Sequence, residues 1–146
     1  MPSSGTQQRD PLNAMTERAA KILVIDDDPF IADMYALKLK EAGFAIEQAR
    51  DGVQGLEKIK AGGWAAVLLD IVLPLQDGFE ILQTIQREKI AHPPIVLLTN
   101  LGEKQDVDRG LALGAADYII KAHYTPSQVV EKVQAILGAG APRAKA

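Results

Sequence analysis

The chain has 146 residues, a length that fits one domain with a buried core, and its 16 basic and 19 acidic residues give a net charge of −3. No cluster of lysine and arginine is present, which argues against nucleic-acid binding. The absence of cysteine excludes disulfides and thiolate metal sites, and no apolar run resembles a membrane span or a signal peptide, so we expect a cytoplasmic protein.

Composition divides the chain into three parts. Residues 1–19 and 139–146 lack sustained periodicity and contain prolines, which predicts a flexible N-terminal arm and a flexible C-terminal tail. In residues 20–138, five short apolar runs alternate with five longer amphipathic stretches. This alternation is typical of βαβ units with a parallel sheet, and we expect a single folded domain there.

In the first half of this domain, the sequence predicts three strands and two helices. Strands are expected at 22–25, 45–49 and 65–69, with the half-polar second one near an edge of the sheet. The first helix is predicted over Pro29–Ala42 and the second over 51–61. The predicted apolar face of the first helix consists of Ile31, Met34, Tyr35, Leu39 and Ala42.

In the second half of the domain, the sequence predicts two strands and three helices. Asp77 and Glu80 have the spacing of a capping box at the start of the third helix, which we expect to end near Glu88. A fourth strand at 95–98 precedes a helix over 104–113. The predicted inner face of that helix is Val107, Leu111 and Ala115. After a fifth strand at 118–120, a Thr-Pro-Ser-Gln start signal at 125–128 predicts the fifth helix.

Chemically active side chains follow four of the predicted strands. They are Asp26, Asp27 and Asp28 after the first, Asp70 after the third, Thr99 after the fourth and Lys121 after the fifth. Because the carboxyl ends of parallel strands share one edge, we expect these groups to converge. Crowded carboxylates take up protons or bind a hard cation, and oxygen ligands suit Mg²⁺. Asp70 could then attack phosphorus, with Lys121 and Thr99 contacting the phosphoryl oxygens.

Each of these features also has an ordinary structural explanation. Aspartates readily cap helices, and Asp70 could form a simple surface ion pair with Lys121. Thr99 could merely end a strand, and Tyr118 could be a half-buried strand aromatic. The occurrence of all of them in one order favours a functional site.

One ordered set of residues is specific when taken as a whole: Ile25, Asp26, Asp27, Asp70, Pro74, Asp77, Gly78, Thr99 and the run Tyr118-Ile119-Ile120-Lys121. Over about residues 21–137, this set resembles the receiver domain of two-component response regulators, with the layout of the stand-alone chemotaxis type. The resemblance implies a flavodoxin-like, doubly wound α/β fold with five parallel strands in the order 2-1-3-4-5 and five helices. It also implies that Asp70 accepts a phosphoryl group from a phosphohistidine.

The resemblance implies a magnesium site. Asp27, Asp70 and the backbone carbonyl of Val72 would bind Mg²⁺ directly, and Asp26 would bind it through a water molecule. Lys121 would pair with the phosphoryl oxygens. No organic cofactor is expected, and the chain would catalyse only its own phosphotransfer and dephosphorylation.

The resemblance also implies a switch and its partners. Thr99 would turn toward the phosphoryl group and Tyr118 would follow it inward, which would change the surface of helix four, strand five and helix five. We expect a sensor histidine kinase or a phosphotransfer protein as donor and an unknown protein as target, with no nucleic acid or membrane partner. The chain would be a monomer or a weak homodimer.

Four positions depart from the family pattern. Ala122 replaces a proline that usually follows a cis bond, and because a cis bond before another residue costs about 3 kcal/mol, we expect a trans bond and a reshaped loop. Asn100 is larger than the residue usual there. Val72 and Leu101 are apolar where polar groups often orient water, which predicts slow hydrolysis of the phosphorylated form.

Three other functions are compatible with parts of the pattern. A haloacid-dehalogenase-like phosphatase also uses an aspartate and Mg²⁺, but it needs a second acid where this chain has Val72. A flavodoxin needs a glycine- and hydroxyl-rich phosphate loop where this chain has Asp26–Asp28. A receiver-fold scaffold that acts without phosphorylation is favoured by Ala122 and Asn100 and opposed by the intact acidic set.

Overall fold

The computed structural model describes residues 19–140 as a five-stranded parallel sheet with helices on both faces. The strands are β1 (Lys21–Ile25), β2 (Ala45–Ala49), β3 (Ala66–Leu69), β4 (Ile95–Thr99) and β5 (Asp117–Ile120). The helices are α1 (Pro29–Glu41), α2 (Gly52–Ala61), α3 (Gly78–Glu88), α4 (Lys104–Ala112) and α5 (Pro126–Gly140), and a 3-10 turn spans Lys121–His123.

The strand order is β2-β1-β3-β4-β5, so the predicted fold class is confirmed and β2 lies at an edge as expected. The arm predicted for residues 1–19 lies outside the described residues except for its last position. The tail predicted from residue 139 also lies outside them, apart from its first two residues, which continue α5 to Gly140.

Two apolar clusters cover the two faces of the sheet. Alternate residues of the strands point to opposite faces, so Leu23 and Leu69 join one cluster while Val24 and Leu68 join the other. Helices α2 and α3 pack on the first face, and α1 and α5 pack on the second. Because the central strands are buried on both sides, they appear in the sequence as continuous apolar runs.

The predicted helix starts are confirmed. In α3, Asp77 accepts a hydrogen bond from the amide of Glu80 at 2.8 Å, and Glu80 accepts one from the amide of Asp77 at 2.8 Å. Thr125 and Gln128 make the equivalent pair of bonds at the start of α5. These capping boxes satisfy backbone donors that would otherwise lack partners.

The predicted inner faces of two helices are partly wrong. In α1, Met34 is 40% exposed and Ala42 is exposed, while two alanines, Ala32 and Ala36, are buried instead. In α4, Leu111 is exposed, and Gly110 is buried. In both helices small residues face the sheet, because they let the helix backbone lie close to it. A pattern search that counts only large apolar residues misses such a face.

No helix within residues 19–140 has both the length and the apolar character that a membrane span requires.

Candidate functional site

Two buried aspartates lie side by side at the carboxyl edge of the sheet. Ile25 at the end of β1 is in register with Leu69 at the end of β3, so the next residues, Asp26 and Asp70, are neighbours. Asp26 is 2% exposed and Asp70 is 7% exposed. Two carboxylates buried together repel each other and require a compensating positive group.

Lys121 supplies that positive charge. Its Nζ lies 2.7 Å from Oδ2 of Asp26 and 2.8 Å from Oδ2 of Asp70. Burial lowers the pKa of Lys121, but the hydrogen bonds that it donates to the two carboxylates outweigh burial, so its pKa is raised overall. The ammonium group is therefore charged at neutral pH.

The loop after Lys121 has the trans peptide bond that an alanine at position 122 predicts. Every peptide bond in residues 19–140 is trans, including the one before Ala122. Lys121, Ala122 and His123 form the 3-10 turn that leads to α5. With Ala122 after it, Lys121 keeps its ammonium group in contact with both carboxylates.

Backbone amides fix the second oxygen of each buried carboxylate. Oδ1 of Asp26 accepts from the amide of Asp28 at 2.9 Å, and Oδ1 of Asp70 accepts from the amide of Val72 at 3.2 Å. Burial raises the pKa of Asp26, although the hydrogen bonds from Lys121 and Asp28 oppose this effect. Both carboxylates are held in a defined orientation before any ligand binds.

Asp27 completes a group of three acids that fits a divalent cation. One carboxylate oxygen each of Asp26, Asp27 and Asp70 lies within 4.8 Å of the others. These three carboxylates would hold a Mg²⁺ ion, which takes oxygen ligands, and the ion would offset their mutual repulsion. Asp27 is exposed, which leaves the outer side of the site open to solvent. The hard oxygen donors and the excess of negative charge both suit Mg²⁺.

Thr99 and Tyr118 are linked through one residue of the β4–α4 loop. Thr99 is fully buried, and its Oγ1 accepts from the amide of Leu101 at 3.4 Å. The hydroxyl of Tyr118 donates to the carbonyl of Leu101. Burial raises the pKa of Tyr118 to about 12, and the charges of Asp106 and Asp70 act in the same direction. Tyr118 is half-buried against the core, as its place on a strand predicts.

These groups line an open cavity of ≈ 320 Å³. Its walls are Asp26, Asp27, Asp28, Ile31, Asp70, Val72, Thr99, Asn100, Leu101 and Lys121. Six of the seven predicted site residues thus lie together, and Tyr118 reaches the cavity wall through Leu101. The role of the Val72 carbonyl stays a prediction.

One wall residue, Ile31, was not expected from the sequence as part of the site. Asp28 caps α1 by accepting from the amides of Phe30 and Ile31, and this bond holds Ile31 beside the acids. Helical periodicity could have predicted its position, because a residue three positions after the N-cap lies on the same side of the helix as the cap.

Comparison with known proteins agrees with the geometry. The model of the response regulator receiver domain family matches residues 22–134. The DNA-binding dual master transcriptional regulator RpaA of Synechocystis is 37% identical over 118 residues, which cover 80% of this chain and 48% of that protein. The alkaline phosphatase synthesis transcriptional regulatory protein PhoP of Bacillus subtilis is 36% identical over 117 residues, with 80% and 48% covered. The chain spans about half the length of these curated relatives.

Solved structures with the same fold cover most of the chain. A CheY-like response regulator receiver domain protein from Methanospirillum hungatei superposes with a TM-score of 0.77 at 27% identity, covering 86% of this chain and 98% of that one. The receiver domain of a Francisella response regulator gives a TM-score of 0.76 at 26% identity, covering 83% and 98%.

A doubly wound sheet here carries a buried acid pair and a lysine at its carboxyl edge, which is where open α/β sheets bind their ligands. The chain belongs to the response regulator receiver domain family.

Proposed function

We propose that this chain is a phosphorylation-dependent signalling switch in which Asp70 accepts a phosphoryl group from a phosphohistidine. The donor would be a sensor histidine kinase or a phosphotransfer protein. The observation that carries the proposal is the contact of one buried ammonium, Lys121, with the two buried carboxylates of Asp26 and Asp70 in a solvent-accessible cavity.

The arrangement supports transfer by bringing opposite charge to the reacting group. One carboxylate oxygen of Asp70 forms a bond to phosphorus while the bond from phosphorus to the donor histidine nitrogen breaks, and that electron pair returns to the imidazole ring. Lys121 is already 2.8 Å from Asp70, so its ammonium group can pair with an oxygen of the arriving phosphoryl group. Asp26 holds the ammonium group in place during this exchange.

The acidic cluster would also hold a metal ion. Asp26, Asp27, Asp70 and, by family resemblance, the backbone carbonyl of Val72 would bind Mg²⁺, which when bound offsets the negative charge of the carboxylates and of the phosphoryl oxygens.

The output would follow from Thr99 and Tyr118. The Thr99 hydroxyl can donate to a phosphoryl oxygen on Asp70, and Leu101 contacts both Thr99 and Tyr118. We place the surface that changes on α4, β5 and α5, where a downstream protein would bind. For a signal to pass, the phosphoryl group must bind one conformation of this region better than the other. The chain would act in the cytoplasm as a monomer or a weak homodimer.

A receiver-fold scaffold that acts by protein interaction alone is the alternative. Asn100 lines the cavity, and Ala122 replaces the usual proline, so two features of the site differ from the family pattern. The intact acid-lysine contacts favour the phosphoacceptor function.

Mass spectrometry separates the two functions. The chain is incubated with Mg²⁺ and acetyl phosphate, and separately with phosphorylated histidine kinases. We expect one added phosphoryl group on Asp70, its loss when Mg²⁺ is chelated, and its loss in Asp70→Asn. Asp108→Asn, a change of an exposed acid on α4 outside the cavity, is the matched control and should accept the group normally. Absence of uptake from every donor would favour the scaffold.

A further inference from the structure

Helix α4 is the most shallowly packed of the helices whose burial is fully described. Gly110 is its only buried residue, whereas α1, α2 and α3 each bury four or more. A second attachment is the guanidinium of Arg109, which lies 4.3 Å from the ring centre of Phe79 on α3. Because so few contacts hold α4, it can move at a lower cost than its neighbours.

Gly110 brings the backbone of α4 directly onto two side chains of the sheet. A Cβ atom at this position would lie 2.4 Å from Cδ1 of Leu97 and 3.1 Å from Cδ2 of Tyr118. Leu97 is fully buried in β4 and cannot easily withdraw. The Tyr118 ring is thus in close contact with a helix backbone, with no side chain between them.

The other end of Tyr118 is attached to the cavity. Its hydroxyl donates to the carbonyl of Leu101, and the amide of Leu101 donates to Thr99, which lines the cavity beside Asp70. A continuous series of contacts therefore runs from the cavity through Thr99, Leu101 and Tyr118 to Gly110.

We propose that Gly110 is a positioning residue through which the orientation of Tyr118 sets the position of α4. The proposal rests on the proposed phosphorylation of Asp70, because Thr99 responds to the group bound there. When the Thr99 hydroxyl turns toward a phosphoryl oxygen, the acceptor of the Leu101 amide moves, and the carbonyl that holds Tyr118 moves with the same residue. The ring then shifts beneath Gly110, and α4 follows because its backbone lies on the ring.

Hydrogen exchange with a phosphoryl mimic tests this coupling. The full chain is measured with Mg²⁺ alone and with Mg²⁺ and beryllium trifluoride, and binding of the mimic at Asp70 is followed separately by fluorine NMR. In the wild type we expect mimic binding to change the exchange rates of α4 amides by roughly tenfold. In Gly110→Ala the added methyl group separates α4 from the ring in both states, so this change should fall below about twofold while the mimic still binds.

Three further variants distinguish coupling from a general loss of stability. Tyr118→Phe keeps the ring but loses the bond to Leu101, and it should also reduce the α4 response. Leu97→Val removes the atom nearest to the new methyl group, so the double variant Leu97→Val/Gly110→Ala should regain part of the response. Gly138→Ala lies on α5 where a Cβ meets no described atom within 4 Å, and its response should match the wild type.

The outcomes separate this inference from the proposed function. If the mimic fails to bind the wild type, both are overturned. If it binds and α4 responds fully in Gly110→Ala, only the role of Gly110 is overturned. Should Gly110→Ala fail to fold, the Tyr118→Phe and double variants decide by the same criterion.

Discussion

Lys121 and Asp26 are 95 positions apart in the sequence and are joined by a 2.7 Å ion pair in a buried environment. Asp26 follows β1 and Lys121 follows β5, and two strands, β3 and β4, lie between them in the sheet. The lysine side chain therefore extends over the carboxyl ends of these strands and contacts Asp70 as well. Lys121 thus connects the edge strand β5 with the centre of the sheet. Asp27 is the third acid of the candidate metal site and takes no part in this ion-pair bridge.

Removal of the Asp27 charge should stabilise the metal-free protein and weaken metal binding. Asp27→Asn relieves repulsion with two nearby carboxylates, so we expect the free energy of unfolding without metal to rise by up to about 1 kcal/mol. Because Mg²⁺ would bind only the folded state, we expect it to stabilise the wild type, and this stabilisation should be largely absent from the variant. Urea unfolding with and without Mg²⁺ measures both effects.

The matched control for Asp27 is Glu57→Gln, which neutralises an exposed acid on α2 outside the cavity. It should keep the full stabilisation by Mg²⁺. Equal stabilisation of Asp27→Asn by Mg²⁺ would show that the ion binds elsewhere.

Val72 should slow hydrolysis of the phosphorylated form. Val72 is 60% exposed, lines the cavity two residues after Asp70 and has no group that could orient an attacking water molecule. Val72→Asn supplies such a group, so we expect dephosphorylation to become faster by roughly tenfold. The lifetime of the phosphorylated chain after removal of the donor gives the rate. Val53→Asn, a change of an exposed valine on α2, should have the wild-type lifetime, and an unchanged lifetime in Val72→Asn would refute the role of Val72.

Gly78 should be intolerant of a side chain for a steric reason. A Cβ at this position would lie 2.7 Å from the carbonyl oxygen of Asp70 and 2.8 Å from Cα of Ile71, and backbone atoms cannot turn aside as a side chain can. We expect Gly78→Ala to lower the free energy of unfolding by about 2 to 4 kcal/mol and to weaken Mg²⁺ binding by displacing Asp70. Chemical denaturation gives the first value and Mg²⁺ titration the second.

For Gly78 the control is Gly138→Ala, which should stay within about 0.5 kcal/mol of the wild type. A Gly78→Ala protein of wild-type stability would show that the first residues of α3 can move away from the loop that follows Asp70.

Tyr118 should make the protein less stable at high pH. Its pKa is raised from 10.0 to about 12 in the folded state, mainly by burial. Between these values the unfolded chain loses the phenol proton before the folded chain does, so stability falls as pH rises. In Tyr118→Phe this contribution is absent, and the fall between pH 10 and pH 11 should be smaller by up to about 1 kcal/mol. Parallel slopes for both proteins, measured by urea unfolding, would contradict the burial of the hydroxyl.

The sequence predicted the strands and helices well because each carries a local signal. The capping boxes at Asp77 and Thr125 and the apolar runs of the strands act over a few residues, so they can be recognised without the fold. The inner faces of α1 and α4 were harder to predict from the sequence, because Ala32 and Gly110 are the residues that face the sheet. Their small size lets the helix backbone lie close to the strands. Small residues give no apolar signal, and only the packed structure reveals their contacts.

By itself, the sequence determined the class of the fold and the identity of the acidic set, because strand ends and their polar residues are read directly from the order of the chain. The tertiary structure alone decided that Lys121 contacts both Asp26 and Asp70, that Leu101 joins Thr99 to Tyr118, and that Gly110 lies on the Tyr118 ring. These contacts depend on how strands distant in sequence are ordered in the sheet and how deeply each side chain is buried. Both are properties of the packed molecule, and no local pattern encodes them.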